Sequence, residues 1–154
     1  MQPKAFLRTL SIIHYSLCVG LLLFMAFAYW QVGSFNVGTD NGDVFVYIVP
    51  IVAMAGYFGS KFVYQNPIKN LPKDEKLQTK LARYQIASLI RYALIEGPAI
   101  LALIAYLQSG TAMYLAIAIA LMVYLFVQRP SLDRLLRELP MSFEEKKQFD
   151  TLRS

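Results

Sequence analysis

The stretch IASLIRYALIEGPAILALIAYL, Ile86 to Leu107, decides the fold: 22 mostly apolar residues that carry Arg91 and, near their centre, Glu96. At 1.5 Å per residue such a helix is about 33 Å long, enough to cross the hydrocarbon layer of a bilayer. Three more apolar runs, at about 10–30, 44–62 and 112–127, accompany it. The chain is 56% hydrophobic and 16% charged, against about 45–50% and about 25% in soluble domains. A soluble domain of 154 residues has too little interior to hide four such runs. The sequence therefore predicts an all-α membrane protein with four transmembrane helices, at about 10–30, 44–62, 84–107 and 112–127. They are expected as two antiparallel hairpins in a domain over 1–130, followed by a helical tail over 131–154.

The flanks of each run support this division. Lys4 and Arg8 precede the first run, and Tyr29 and Trp30 end it, as suits a membrane interface. Basic residues, an apolar core and Ala26-Phe27-Ala28 also resemble a cleavable signal, but the run is long and His14 and Tyr15 interrupt it, which favours a retained span. Gln31 to Asp43 is rich in Gly, Asn and Asp and holds no Lys or Arg. The second run carries Pro50, where a kink is expected. Gln65 to Tyr84 is basic, and from Lys73 onward nothing breaks a helix, so the third helix should begin before the membrane. The short Gln108 to Thr111 turn makes the last two runs an antiparallel hairpin. Past Arg129 and Pro130, Ser131 can cap a short helix whose Leu132, Leu135, Leu136 and Leu139 share a face. Ser142 and Glu145 form a capping-box pattern for a second one.

Charge placement sets the topology. The pI near 9.4 and net charge of +5 are compatible with a nucleic-acid partner, but fourteen of the fifteen Lys and Arg flank the apolar runs at the N-terminus, second loop and tail. That is the pattern of the positive-inside rule and of contact with anionic headgroups. Both termini are predicted to be cytoplasmic in a multi-pass protein of the bacterial inner membrane, with the lipid bilayer as partner and no nucleic acid. A single Cys18 within an apolar run excludes an intrachain disulfide and a CxxC metal framework. No metal site and no cofactor is expected.

The residues open to chemistry are few. A mid-membrane charge carries an insertion cost of roughly 2.5–3.5 kcal/mol on translocon scales and normally faces the bundle interior. Gln85, Ser88, Tyr92, Glu96, Ala99 and Tyr106 fall along one side of the third helix, a polar stripe expected to face other helices. Pro98 has no N–H for the carbonyl of Leu94, which suggests a polar pocket at that depth. Arg91 lies roughly 140° around the helix from Glu96; it is poorly placed to pair and is expected to snorkel to the headgroups. His14, one turn inside the first helix with Ser11 and Cys18 on its face, is expected as a hydrogen-bonding residue, with a proton relay to Glu96 as the alternative. The candidate ion or proton site is thus Glu96, Tyr92, Arg91, Ser88 and His14. No nucleophile elbow, phosphate loop or paired carboxylates are present, so no enzyme is expected.

Ala93-Leu94-Ile95-Glu96-Gly97-Pro98-Ala99-Ile100-Leu101-Ala102-Leu103 resembles the ion-carrying helix of rotary ATPase proteolipid (c-type) subunits. That resemblance implies an ion-carrying role for Glu96, and the basic turn at Gln65-Asn66-Pro67 is similar to that family's cytoplasmic loop. The chain departs from the family in its longer loop, its lack of a glycine-repeat helix and its Arg91. As a whole it resembles small uncharacterised four-helix bacterial membrane proteins, which implies no activity. The leading expectation is a structural or complex-forming membrane component, a homo-oligomer or part of a larger complex with small residues such as Ala99, Ala102, Ala116, Ala118 and Ala120 at its contacts. The alternative is a subunit that handles protons or cations through Glu96.

Overall fold

A computed structural model describes residues 2–38 and 42–150. The tip of the first loop, 39–41, and the last four residues of the tail lie outside them. Six helices follow one another: α1 Pro3–Val32, α2 Phe45–Lys69, α3 Leu77–Ser109, α4 Ala112–Val127, α5 Leu132–Glu138 and α6 Phe143–Asp150. Among the described residues there is no strand, only an isolated bridge between Asn36 and Thr111.

The helix ends follow local chemistry. Pro3 sits in the first turn of α1, where its missing N–H is no loss. The helix thus starts a turn or two before its apolar run, and Phe6 from that extension is buried against Tyr84. Gly33 and Gly110 close α1 and α3 in left-handed conformation, with φ of 63° and 68°, a geometry that glycine adopts at no steric cost. Helix α2 passes through Pro50 as one element and continues beyond Phe62 to Lys69, since Pro67 removes only a bond of the last turn. Pro130 stops α4. Ser131 then caps α5 through the Arg134 amide at 3.3 Å. Ser142 and Glu145 exchange the two hydrogen bonds of a capping box at the start of α6.

Three helices, α1, α2 and α3, are long and apolar enough to cross a membrane. At 16 residues α4 is shorter, and it enters the count only together with α5, from which it is bent by 80°. Half of α3's apolar window is buried within the protein, against 22% for α1 and 17% for α2, so α3 is the axis. It packs most extensively on α2, then on α4, then on α1. The expected hairpin of the last two apolar runs is present. The expected first hairpin is not a packed pair: α1 and α2 make little mutual contact, because both use their limited inward faces on α3 and α4.

Helix α2 approaches α3 closely at Gly56. A Cβ there would overlap the Leu94 carbonyl oxygen and lie 2.7 Å from the Pro98 ring. Pro98 denies the Leu94 carbonyl its helical N–H, and the glycine Cα–H points at that oxygen, a weak donor suited to close helix contacts. The polar pocket expected beside Pro98 is therefore replaced by backbone packing. At the far end, Asn36 is stitched to the α3–α4 turn through Asn36 N to Gly110 O at 3.0 Å and Ala112 N to Asn36 O at 2.9 Å. Tyr106 donates to the Ser34 carbonyl at 3.0 Å, and Tyr114 donates to the Asp43 carboxylate.

Candidate functional site

The sequence-derived stripe on α3 is divided by the fold. Ser88, Tyr92, Ala99 and Tyr106 are buried, while Gln85 and Glu96 lie half-buried at its margin. Two assemblies result, one around the end of α4 and one around Glu96.

Helix α4 ends with carbonyls that lack helical partners, as every helix does. Its termination at Pro130 leaves them inside the bundle, where water cannot satisfy them cheaply. The Gln128 and Arg129 amides turn back to Tyr124, Leu125 and Phe126, and side chains from α1 and α3 add a second donor at Leu125 and cover Gln128. His14 Nε2 lies 2.8 Å from the Leu125 carbonyl; a carbonyl only accepts, so Nε2 carries the hydrogen. Tyr92 Oη and Arg91 Nη2 both reach the Gln128 carbonyl at 3.4 Å. His14 packs edge-on to Tyr92 at 4.9 Å. A cation beside the negative end of a helix is favoured, so Arg91 suits this position electrostatically.

This corrects the expectation for Arg91. It does not snorkel outward: it is only 5% exposed, and its guanidinium lies 3.7 Å from the centre of the Tyr64 ring. The α4 terminus offers it an acceptor and Tyr64 a π-face, so it turns inward. His14 likewise serves as a buried cap for α4. The sequence signal for this assembly is Pro130, which announces a helix end with free carbonyls opposite Arg91. Residues that the polar stripe alone does not mark, Tyr64, Gln128, Arg134 and Glu138, complete the surroundings. Tyr64 donates to the Glu138 carboxylate, Arg134 Nη1 donates to Gln128 Oε1 at 3.1 Å, and Arg134 pairs with Glu138 at 3.4 Å. Three buried polar atoms have no hydrogen-bond partner among the described residues: His14 Nδ1, Ser88 Oγ and Arg91 Nε. Arg91 borders a pocket of about 440 Å³ that opens between the ends of α2 and α4 and the short α5.

Glu96 stands apart. No ion pair or hydrogen bond reaches its carboxylate from any described residue, and it is not paired with Arg91. Across the bundle on α1, the Cys18 sulfur lies 3.9 Å from His14 Nε2. Glu96 also flanks a row of exposed α3 residues, Ile86, Ile90, Ala93, Gly97, Ile100 and Ile104, spaced alternately by four and three. Of the small residues named for helix contacts, Ala99, Ala102 and Ala118 are buried within the chain, whereas Ala116 and Ala120 are exposed on α4.

Outside the apolar spans, Lys80 is fully buried and joins α3 to α6 through Glu145 at 3.0 Å and the Lys73 carbonyl at 2.7 Å. Burial alone would push the Glu145 carboxyl up, but the Ser142 amide and the Lys80 ammonium outweigh it and hold the carboxyl below the ordinary glutamate range. Among the described residues no three His, Cys, Asp or Glu are grouped to hold a metal ion. Comparison with protein-family models, with curated proteins and with solved structures finds no match to this chain. The described residues form an all-helical bundle in which three helices are long and apolar enough to cross a membrane, which fits the class of helical membrane proteins.

Proposed function

We propose that this is a non-enzymatic inner-membrane component that assembles with a second copy of itself through the outer face of α3. In this reading the short α4 with its bent α5 completes a four-pass bundle, and the basic end with both termini is cytoplasmic. The observation that carries it is Glu96: a half-buried carboxyl near the middle of a span, with no partner in its own chain. Lipid offers no donor or acceptor, so a partner helix is the natural source of one. The neighbouring row suits such a helix. Ala93 and Gly97, four apart, allow close approach, and a Cβ on Gly97 meets nothing within 4 Å in the chain itself.

Gly97→Leu and Glu96→Leu should therefore leave the fold intact but reduce particle size in mild detergent to that of the monomer, whereas Glu96→Gln keeps the larger species. A wild-type particle of monomer size, or assembly unaffected by either Leu variant, would sink the proposal.

A second reading, proton or cation handling at Glu96, is favoured by the same partnerless carboxyl, which can take up and release a proton within a span. Here Glu96→Gln preserves assembly but abolishes an ion-dependent phenotype, and a hydrophobic carbodiimide labels Glu96 in the wild type. Failure of both results removes this reading.

A further inference from the structure

The pocket beside Arg91 has a composition that the self-assembly reading does not use. Five cations line it, Lys61 and Lys69 from α2, Arg91 from α3, and Arg134 and Arg137 from α5. A single carboxylate, Glu138, faces them, and it is already engaged by Tyr64 and Arg134. Lys69 reaches only Gln65, at 3.5 Å. Arg91 is buried with no carboxylate beside it, and its Nε has no acceptor among the described residues. Burying a guanidinium without an anion is unfavourable, and a stacked tyrosine offsets only part of it.

Position adds a second constraint. The pocket lies where α2 and α4 reach the basic end, and α5 crosses it after the 80° bend. Ile68 and Tyr124 give it an apolar flank beside the cations. Arginine forks match the oxygens of a tetrahedral oxyanion, and lysines add charge.

We infer that this pocket is a binding site for a phosphate group, held by Arg91, Arg134 and Arg137 with Lys61 and Lys69 around it. The phosphate has two sources, the headgroup of an anionic phospholipid or a soluble phosphate. In either case it supplies the anion that Arg91 lacks, and it joins α5 to the end of α2 and the middle of α3. The inference is independent of self-assembly.

The test uses the full-length protein in phosphatidylcholine nanodiscs, with thermal unfolding as readout. Phosphatidylglycerol is introduced in one series and inorganic phosphate is titrated in another. Two exposed lining residues are changed together, Lys69→Gln with Arg137→Gln, and Lys4→Gln with Arg8→Gln serves as a charge-matched control at the N-terminus. Phosphatidylglycerol should raise the unfolding midpoint, with apparent affinity about tenfold weaker in the pocket variant and changed by less than about twofold in the control. The same pattern with inorganic phosphate identifies the soluble source; its absence there identifies the lipid. No stabilisation by either anion overturns the site, and so does equal weakening in pocket variant and control, which would reduce it to diffuse surface attraction.

Discussion

Helix α3 is gripped from two sides in different ways. Against α2 the contact is made by backbone, where Gly56 lies on the Leu94 carbonyl and the Pro98 ring. Against α1 and the end of α4 it is made by polar side chains, His14, Tyr92 and Arg91, that seal the carbonyls of a terminated helix. Lipid supplies no hydrophobic drive between helices, so close approach and satisfied polar groups must supply the association instead. Each seam answers a proline: Pro98 frees a carbonyl that a glycine covers, and the helix end before Pro130 leaves the Gln128 carbonyl to a tyrosine and an arginine, with a histidine added at Leu125.

The largest test of this contrast is Gly56→Ala. A methyl group directed at backbone cannot be absorbed by a side-chain rotation, so destabilisation of about 3 kcal/mol is expected, the upper end for an overpacked methylene. Gly59→Ala, one turn on, meets only the Leu94 methyl at 4.0 Å and should change stability by less than about 0.5 kcal/mol. Equal losses in a detergent-unfolding titration would break the claim of a backbone-tight seam. His14→Leu comes next: it removes the side-chain donor of the Leu125 carbonyl, which keeps only the Gln128 amide, for a loss of about 1 kcal/mol. An unchanged midpoint would show that the α1 seam does not depend on capping.

The smallest effect sharpens the comparison from outside both seams, where α3 holds α6 by an ordinary ion pair. The Glu145 carboxyl is depressed from its usual 4.5 in the folded protein. Its contribution is therefore fully present above that value and is lost as pH falls below it. Glu145→Gln should release α6 at neutral pH at a cost of about 1 kcal/mol, seen as faster amide exchange over residues 143–150, and should remove the acid dependence of that exchange.

The sequence legibility of these parts differs for physical reasons. The spans of α3 and α4, the capping patterns of Ser131 and of Ser142 with Glu145, and the paired orientation of α3 and α4 follow from local rules, and the structure carries them. Which helix serves as axis did not follow, because hydropathy along α1, α2 and α3 does not distinguish a lipid-facing side chain from one buried in protein. The inward turn of Arg91 was hidden for a related reason. A helix position near the membrane edge is compatible with snorkelling until the neighbouring α4 terminus and the Tyr64 ring are placed beside it. For Glu96 the sequence conveys the poor pairing with Arg91, but not its place: the stripe expected to face other helices leaves Glu96 half-buried at the margin, because α2 and α4 close on the neighbouring faces of α3.

The brevity of α4 gives the molecule an uneven hydrophobic height. Sixteen residues reach only about 24 Å, against a hydrocarbon layer of about 30 Å, whereas the neighbouring α1 and α3 overshoot it. In the proposed four-pass arrangement a bilayer around such a body would be drawn thinner on the α4 side, with the headgroup plane sloping down toward the bend into α5. In that arrangement the position of Pro130 would give the protein a preference for thin or compliant bilayers, with the deformation deepest beside Arg91 and the arginines of α5.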